Sequence, residues 1–181
     1  MISIIPMVNA QFKKIGGGLA LSSGFQFHNV SNDYNKSGII AVSLKSIYEL
    51  NLPVHISPSF TIFYPNITKG QDDKTNVSSI MFDINGHYLF NSQDKLEFYG
   101  LAGLDFLISW KKLTFENNIV SSPTITEMDN AMGLNLGAGT YMKISGQFDI
   151  YGEVKYILSK YDQFMLNVGI LIKIGRDKKQ E

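Results

Sequence analysis

Residues 134–144 read LNLGAGTYMKI. Leu134, Leu136, Ala138, Thr140 and Met142 fall on one side of an extended chain, and Asn135, Gly137, Gly139, Tyr141 and Lys143 on the other. A period of two marks a strand with unlike faces. The length suits the roughly 9–11 residues that a tilted strand needs to cross a hydrocarbon layer. This pattern belongs to a predicted strand over residues 131–144 and recurs along the chain. Further strands are predicted over 18–29, 38–50, 54–64, 79–90, 96–111, 148–158 and 164–174, eight in all.

The connectors carry the rest of the fold signal. Polar stretches at 31–37, 65–77 and 113–130 alternate with tight turns at 51–53, 91–95 and 145–147, and a short link at 159–163 precedes the last strand. Long links on one side and short turns on the other are the pattern of a closed up-and-down barrel in an outer membrane. The expected fold class is all-β: a single closed eight-stranded antiparallel transmembrane β-barrel over residues 11–175. An even strand count puts both termini on the short-turn side, the periplasm in an outer membrane. Pro58 cannot donate a ladder hydrogen bond, so a local bulge is expected there.

Composition agrees. Sixteen Lys and Arg balance sixteen Asp and Glu, which removes any electrostatic case for nucleic acid. Charged residues make up 18%, below the roughly 25% usual in soluble domains, and the deficit favours a lipid-facing exterior. Cysteine is absent, excluding a disulfide framework, a thiolate metal site and a Cys nucleophile together. No apolar run approaches the length of a transmembrane helix, so crossing rests on strands. Residues 1–10 read as a signal-peptide remnant: an apolar run from Ile2 to Val8, then Val8 and Ala10 at −3 and −1 before Gln11. Residues 176–181 form a charged tail, expected in the periplasm.

Alternation leaves two placements of the faces. In a soluble, lipocalin-like barrel the apolar face lines a ligand cavity. In a membrane barrel it meets lipid, and the polar face fills the lumen. The apolar face holds Leu19, Leu21, Phe25, Phe27, Phe60 and Ile170, with aromatics near strand ends: Tyr48, Tyr64, Tyr88, Phe90, Trp110 and Tyr156. Rings at that level suit the two interfacial girdles of a membrane barrel. The opposite face is rich in Ser, Asn, Gly and Tyr, which suits a narrow, crowded interior.

Four stretches carry a resemblance to a known group: GLDFLISW after FYGLA, LNLGAGTYMKI, IYGEVKY and FMLNVGILIKI. They resemble the closing half of small eight-stranded outer-membrane proteins of the OmpX, OmpA-barrel and opacity-protein type, with a likeness extending over about residues 18–175. The resemblance implies a monomeric barrel embedded in outer-membrane lipid. Such barrels end on an aromatic residue, whereas here Ile174-Gly175 and the charged tail stand in that place.

With the polar face inside, the lumen holds Lys45, Glu49, Asp83, Glu97, Asp105, Lys143, Asp149, Glu153, Lys155 and Lys173. An eight-stranded interior is just wide enough for side chains. Charges there must pair, because isolated burial is very costly. The expectation is a cross-lumen network acting as a plug, and a structural or adhesion-type role through the long loops. The alternatives are a narrow channel for small or hydrophobic solutes and, third, a soluble ligand-binding barrel. No cofactor is expected, and His28, His55 and His87 lack metal-ligand spacing. His55 and Ser57 resemble the His-x-Ser pair of outer-membrane lipid A deacylases, but both are predicted to face the lumen beside a short turn, so no catalysis is expected.

Overall fold

A computed structural model of the chain describes residues 11–25, 38–50, 53–69, 73–92, 95–115 and 124–174. Its elements are β1 (Gln11–Ser22), β2 (Ile40–Glu49), β3 (Val54–Phe63), β4 (Asn66–Lys69), β5 (Asp73–Ser92), β6 (Leu96–Phe115), β7 (Thr124–Lys143), β8 (Phe148–Ser159) and β9 (Gln163–Lys173). Every pairing is antiparallel, and β1 closes the ring against β9 through Lys14 opposite Lys173 to Ser22 opposite Met165. Both β3 and β4 pair with β5, so they are two parts of one barrel strand, interrupted at Tyr64-Pro65. The result is a closed eight-stranded barrel. The signal-peptide and tail expectations fall on residues 1–10 and 176–181, outside the described residues.

The faces lie as the alternation predicts. Along β2, Ile40, Val42 and Leu44 are exposed, while Ala41, Ser43, Lys45 and Ile47 are buried. The same holds on β9, where Leu166, Val168, Ile170 and Ile172 point outward and Met165, Asn167 and Leu171 inward. A barrel whose exterior is this apolar is stable only in lipid, and a soluble ligand-binding barrel is excluded.

Three expectations are corrected. The first strand lies at Gln11–Ser22, not 18–29. Gly16, Gly17 and Gly18 carry no side chain to alternate, so the period-two signal there is silent. At Gly24 the backbone takes φ 73°, a left-handed conformation that ends the alternation. Phe25 is consequently buried at 3% exposure, not turned to lipid. Its ring packs edge-on against Phe63 at 6.3 Å and tilted on Tyr161 at 5.4 Å. Phe27 and His28 fall outside the described residues.

The second correction concerns Pro58. Lys45 stays opposite Ser59 and Tyr48 opposite Ile56, so pairing lapses across the proline without a change of register. The bulges fall instead between Phe12 and Lys14 on β1 and between Leu89 and Asn91 on β5.

The third concerns the loops. Much of 65–77 and 113–130 is strand: β4, the start of β5, the end of β6 and the start of β7. These segments pair continuously, as in Asp73 opposite Phe115 and Thr114 opposite Thr124. Their apolar residues, such as Ile67, Val77, Ile125 and Met128, are scattered among polar ones, so they show no sustained alternation to read. β5, β6 and β7 each run 20 residues, about 66 Å at 3.3 Å per residue, roughly twice the 9–11 needed for crossing. The surplus extends the sheet beyond the barrel at what we call the hairpin end. The opposite end, where β1 starts and β9 finishes, is the turn end.

Candidate functional site in the lumen

Inside the barrel the side chains stack in layers. Nearest the hairpin end lies an apolar cluster of Ala20, Phe25, Ala41, Phe63, Met81, Leu107, Ala131, Ile157, Tyr161 and Met165. Toward the turn end lies a second, of Ile47, Tyr99, Leu101, Tyr141, Tyr151 and Leu171. A charged network sits between and against them. Water is thereby kept from its ion pairs, and unpaired charges would be costly.

Most of the predicted lumen residues meet in that network. Glu153, 2% exposed, receives Lys45 Nζ at 2.6 Å and the Tyr99 hydroxyl at 3.0 Å. Asp83 accepts from Lys155 Nζ at 2.7 Å, Asn135 Nδ2 at 2.9 Å and Ser59 Oγ at 2.9 Å. These links tie β2 to β8, and β5 to β3, β7 and β8, across the lumen. His87 stacks on Tyr99 at 4.3 Å, and its Nδ1 lies 2.6 Å from the Tyr141 hydroxyl. Asp105 is buried opposite Asp83, and no ion pair joins it to a described ammonium group. Like charges facing across a ladder oppose each other, so Asp105 is the member that works against the network.

The remaining predicted charges gather at the turn end. Asp149, wholly buried, is flanked by Lys14 Nζ at 2.9 Å and Lys173 Nζ at 3.3 Å. Lys143 pairs with Glu97 at 2.6 Å, and Glu49 lies 3.9 Å from Lys14. Lys14 is the functional residue that sequence reasoning missed. It sits at the bulge of β1, in the segment where the glycine run hides the strand.

Glycines make the lumen fillable. A Cβ on Gly18 would come within 2.6 Å of the Tyr151 hydroxyl, and one on Gly139 within 2.5 Å of Tyr99 Cζ. Outward-facing Gly100 and Gly152 have nothing within 4 Å of that position. Gly18, Gly139 and Gly169 are therefore seats for tyrosine rings.

His55 and Ser57 both face inward, buried to 8% and 0% exposure. His55 Nδ1 and Ser57 Oγ are each without a hydrogen-bond partner, so no bond links the two side chains through them. No metal-binding cluster occurs among the described residues. Of the strand-end aromatics, Tyr64, Tyr88, Phe90 and Tyr156 are exposed, and Tyr48 and Trp110 half-buried. Tyr48, Tyr88 and Phe90 stand toward the turn end, and Tyr64, Trp110 and Tyr156 toward the hairpin end.

At the hairpin end, Asp129 on β7 accepts from Lys160 Nζ at 2.6 Å and from the Tyr161 hydroxyl, both on the β8–β9 turn. The Lys160 hydrogen bond, then that of Tyr161, holds the Asp129 carboxyl below the usual aspartate value. The same Asp129 contact raises Lys160.

Comparison with solved structures returns the same architecture. The attachment invasion locus protein Ail of Yersinia pestis is 17% identical with a TM-score of 0.60, over 91% of this chain and 99% of that one. A major outer membrane protein of Thermus thermophilus is 12% identical with a TM-score of 0.64, over 90% and 98%. The N-terminal β-barrel domain of Pseudomonas aeruginosa OprF is 14% identical with a TM-score of 0.56, over 92% and 100%. No curated protein matches the chain. The sequence itself matches the outer membrane protein beta-barrel domain over residues 3–171. With strands closed into a lipid-facing ring and a match across nearly its whole length, this chain belongs to the outer membrane protein β-barrel domain family.

Proposed function

We propose that this outer-membrane barrel is a monomer with a plugged lumen that acts by binding at its surface, through the hairpins extending beyond the barrel. Both termini face the periplasm in this reading, which leaves the hairpin end outside the cell. The observation that carries it is the continuation of β5, β6 and β7 as paired sheet over twice the length needed for crossing. Binding functions concentrate on segments that a rigid scaffold holds out. The attachment invasion locus protein has the same fold and has been crystallised with the heparin analogue sucrose octasulfate, which supports an adhesive reading here. Cells displaying the full chain should adhere to cultured epithelial cells. Cells displaying a chain with 112–126 replaced by a short turn should not, at equal surface expression. Equal adherence of the two overturns the reading.

The plug is the second element of the proposal. The buried pairs Lys45–Glu153 and Lys155–Asp83, with an apolar layer on either side, support a barrel that does not conduct. Steady large conductance from purified protein in planar bilayers would refute it. We further propose that Tyr48, Tyr64, Tyr88, Phe90, Trp110 and Tyr156 form the interfacial girdles. Trp110 is the sole tryptophan, so its fluorescence should be quenched by lipids brominated near the headgroup more than by lipids brominated at mid-bilayer. No catalytic role is assigned to His55 and Ser57. Lipid A deacylation that is lost on Ser57→Ala would reverse that assignment.

A further inference from the structure

Where β2 begins and β3 gives way to β4, the barrel wall carries a dent. Gly38 leads into β2 through a left-handed step, φ 74°. The Tyr64 amide donates to the Ile40 carbonyl at 2.7 Å, and Pro65 then interrupts the neighbouring strand. A groove of about 400 Å³ lies there, between residues 38–40 and 64–67. Ile39, Ile40, Tyr64 and Ile67 line it, and all four are exposed. Ile40 and its exposed neighbour Val42 make the groove continuous with the lipid-facing ring. β3 runs 10 residues before reaching Tyr64, the length of a crossing, so the groove sits at the edge of the hydrocarbon.

A second sign stands immediately beyond it. Steps of two along β5 from exposed Phe82 lead to Lys74, and along β6 from exposed Phe106 to Lys112. Both lysines therefore continue the lipid-facing side onto the extended sheet. Ile67 and Lys69 join that side, opposite Asn76 and Lys74. Lys69 and Lys74 thus oppose each other directly across the ladder, which destabilises a sheet unless an anion bridges them. None of the three ammonium groups is in an ion pair among the described residues. The carboxylates of β7 here, Glu127 and Asp129, stand in the other register, opposite buried Lys111 and Ser109. Lysines just outside an aromatic girdle meet lipid phosphates.

We propose that the lipid-facing side of the extended sheet is a docking surface for a phosphorylated lipid of the outer leaflet. One acyl chain lies in the groove beside Tyr64, and Lys69, Lys74 and Lys112 take the headgroup phosphates. The groove supplies the apolar half of the recognition and the opposed lysines the charged half. The outer-leaflet placement rests on the orientation proposed above. It does not require the hairpins to be adhesive.

The full chain, folded in maltoside micelles, is titrated with bis-phosphorylated lipid A, and bound lipids are counted by native mass spectrometry. One saturable molecule is expected, with dephosphorylated lipid A and phosphatidylcholine held at least about tenfold more weakly. Lys69→Gln/Lys74→Gln/Lys112→Gln should weaken lipid A binding by a similar factor, with heat-modifiable migration verifying the fold. Ile67→Trp, which fills the groove and keeps every lysine, should weaken it as well, which loss of charge cannot explain. Unchanged binding in either variant, or equal affinity for the dephosphorylated lipid, overturns the proposal. So does a triple variant that loses only heparin, which would give the lysines to a sulfated glycan. Orientation is read separately with an impermeant maleimide on intact cells carrying Thr126→Cys, the sole cysteine of that chain. Labelling is expected, and labelling only after permeabilisation overturns the orientation and the outer-leaflet placement with it. Adherence enters neither measurement.

Discussion

One strand, β6, lives in two solvents. From Leu96 to Leu107 it alternates strictly, with Tyr99, Leu101, Asp105 and Leu107 buried and Phe98, Leu104 and Phe106 exposed. From Lys112 to Phe115 neither face is fully buried and the alternation fades, yet the ladder to β5 and β7 continues unbroken. Backbone pairing alone keeps the second half extended. In the first half, side chains must also satisfy lipid outside and a packed lumen inside. Sequence constraint therefore drops at the point where the strand leaves the barrel, although its secondary structure does not change.

Substitutions in the two halves should separate accordingly. The largest effect is expected from Glu153→Leu, which strips Lys45 of its carboxylate inside the lumen. Loss of one buried partner costs about 3–5 kcal/mol, read as a lowered urea midpoint for the heat-modifiable band. Gly139→Val drives a side chain into the seat of Tyr99, and overpacking of this kind costs about 1–3 kcal/mol by the same measurement. If Gly139→Val were neutral, the lumen would be looser than its burial implies, and the contrast between the halves would fail.

Asp129 stands at the border of the two regions. Its carboxyl is held below the ordinary aspartate value, so its contribution is complete above about pH 3.9 and fades as pH falls through the lower folded value. Asp129→Asn should remove under about 1 kcal/mol, since the pair with Lys160 is solvent-exposed. Amide exchange in the β8–β9 turn should quicken at neutral pH, and the wild-type turn should match it only in stronger acid. Smallest of all is Thr126→Ala on the extended sheet, expected within about 0.5 kcal/mol of wild type. A larger loss there would mean that the extension has a packing requirement of its own.

The same division governs what was legible beforehand. Period-two alternation located β2, β3, β8 and β9 to within a few residues, and with the barrel part of β5 placed Lys45, Asp83, Glu153 and Lys155 inside, because each of those stretches has one lipid face. It missed β1, where three successive glycines leave no faces to compare, and with it Lys14. It assigned the extended sheet to loops, since apolar residues scattered among polar ones carry no sustained period. Phe25 was misplaced because the pattern could not register the left-handed step at Gly24. Which lysine meets which carboxylate was beyond the sequence, since those contacts depend on the strand tilt and stagger of the closed ring.

Tyr151 rests against Gly18 of the opening strand and Gly169 of the closing one. Those two strands come from opposite ends of the chain, so joining them is the most non-local step in building the cylinder. Sliding the closing strand by two residues in either direction would bring Asn167 or Leu171 under the ring, where a side chain would take the space. The join is thus keyed by shape as well as by hydrogen bonds, with the lock on the side of the closing strand.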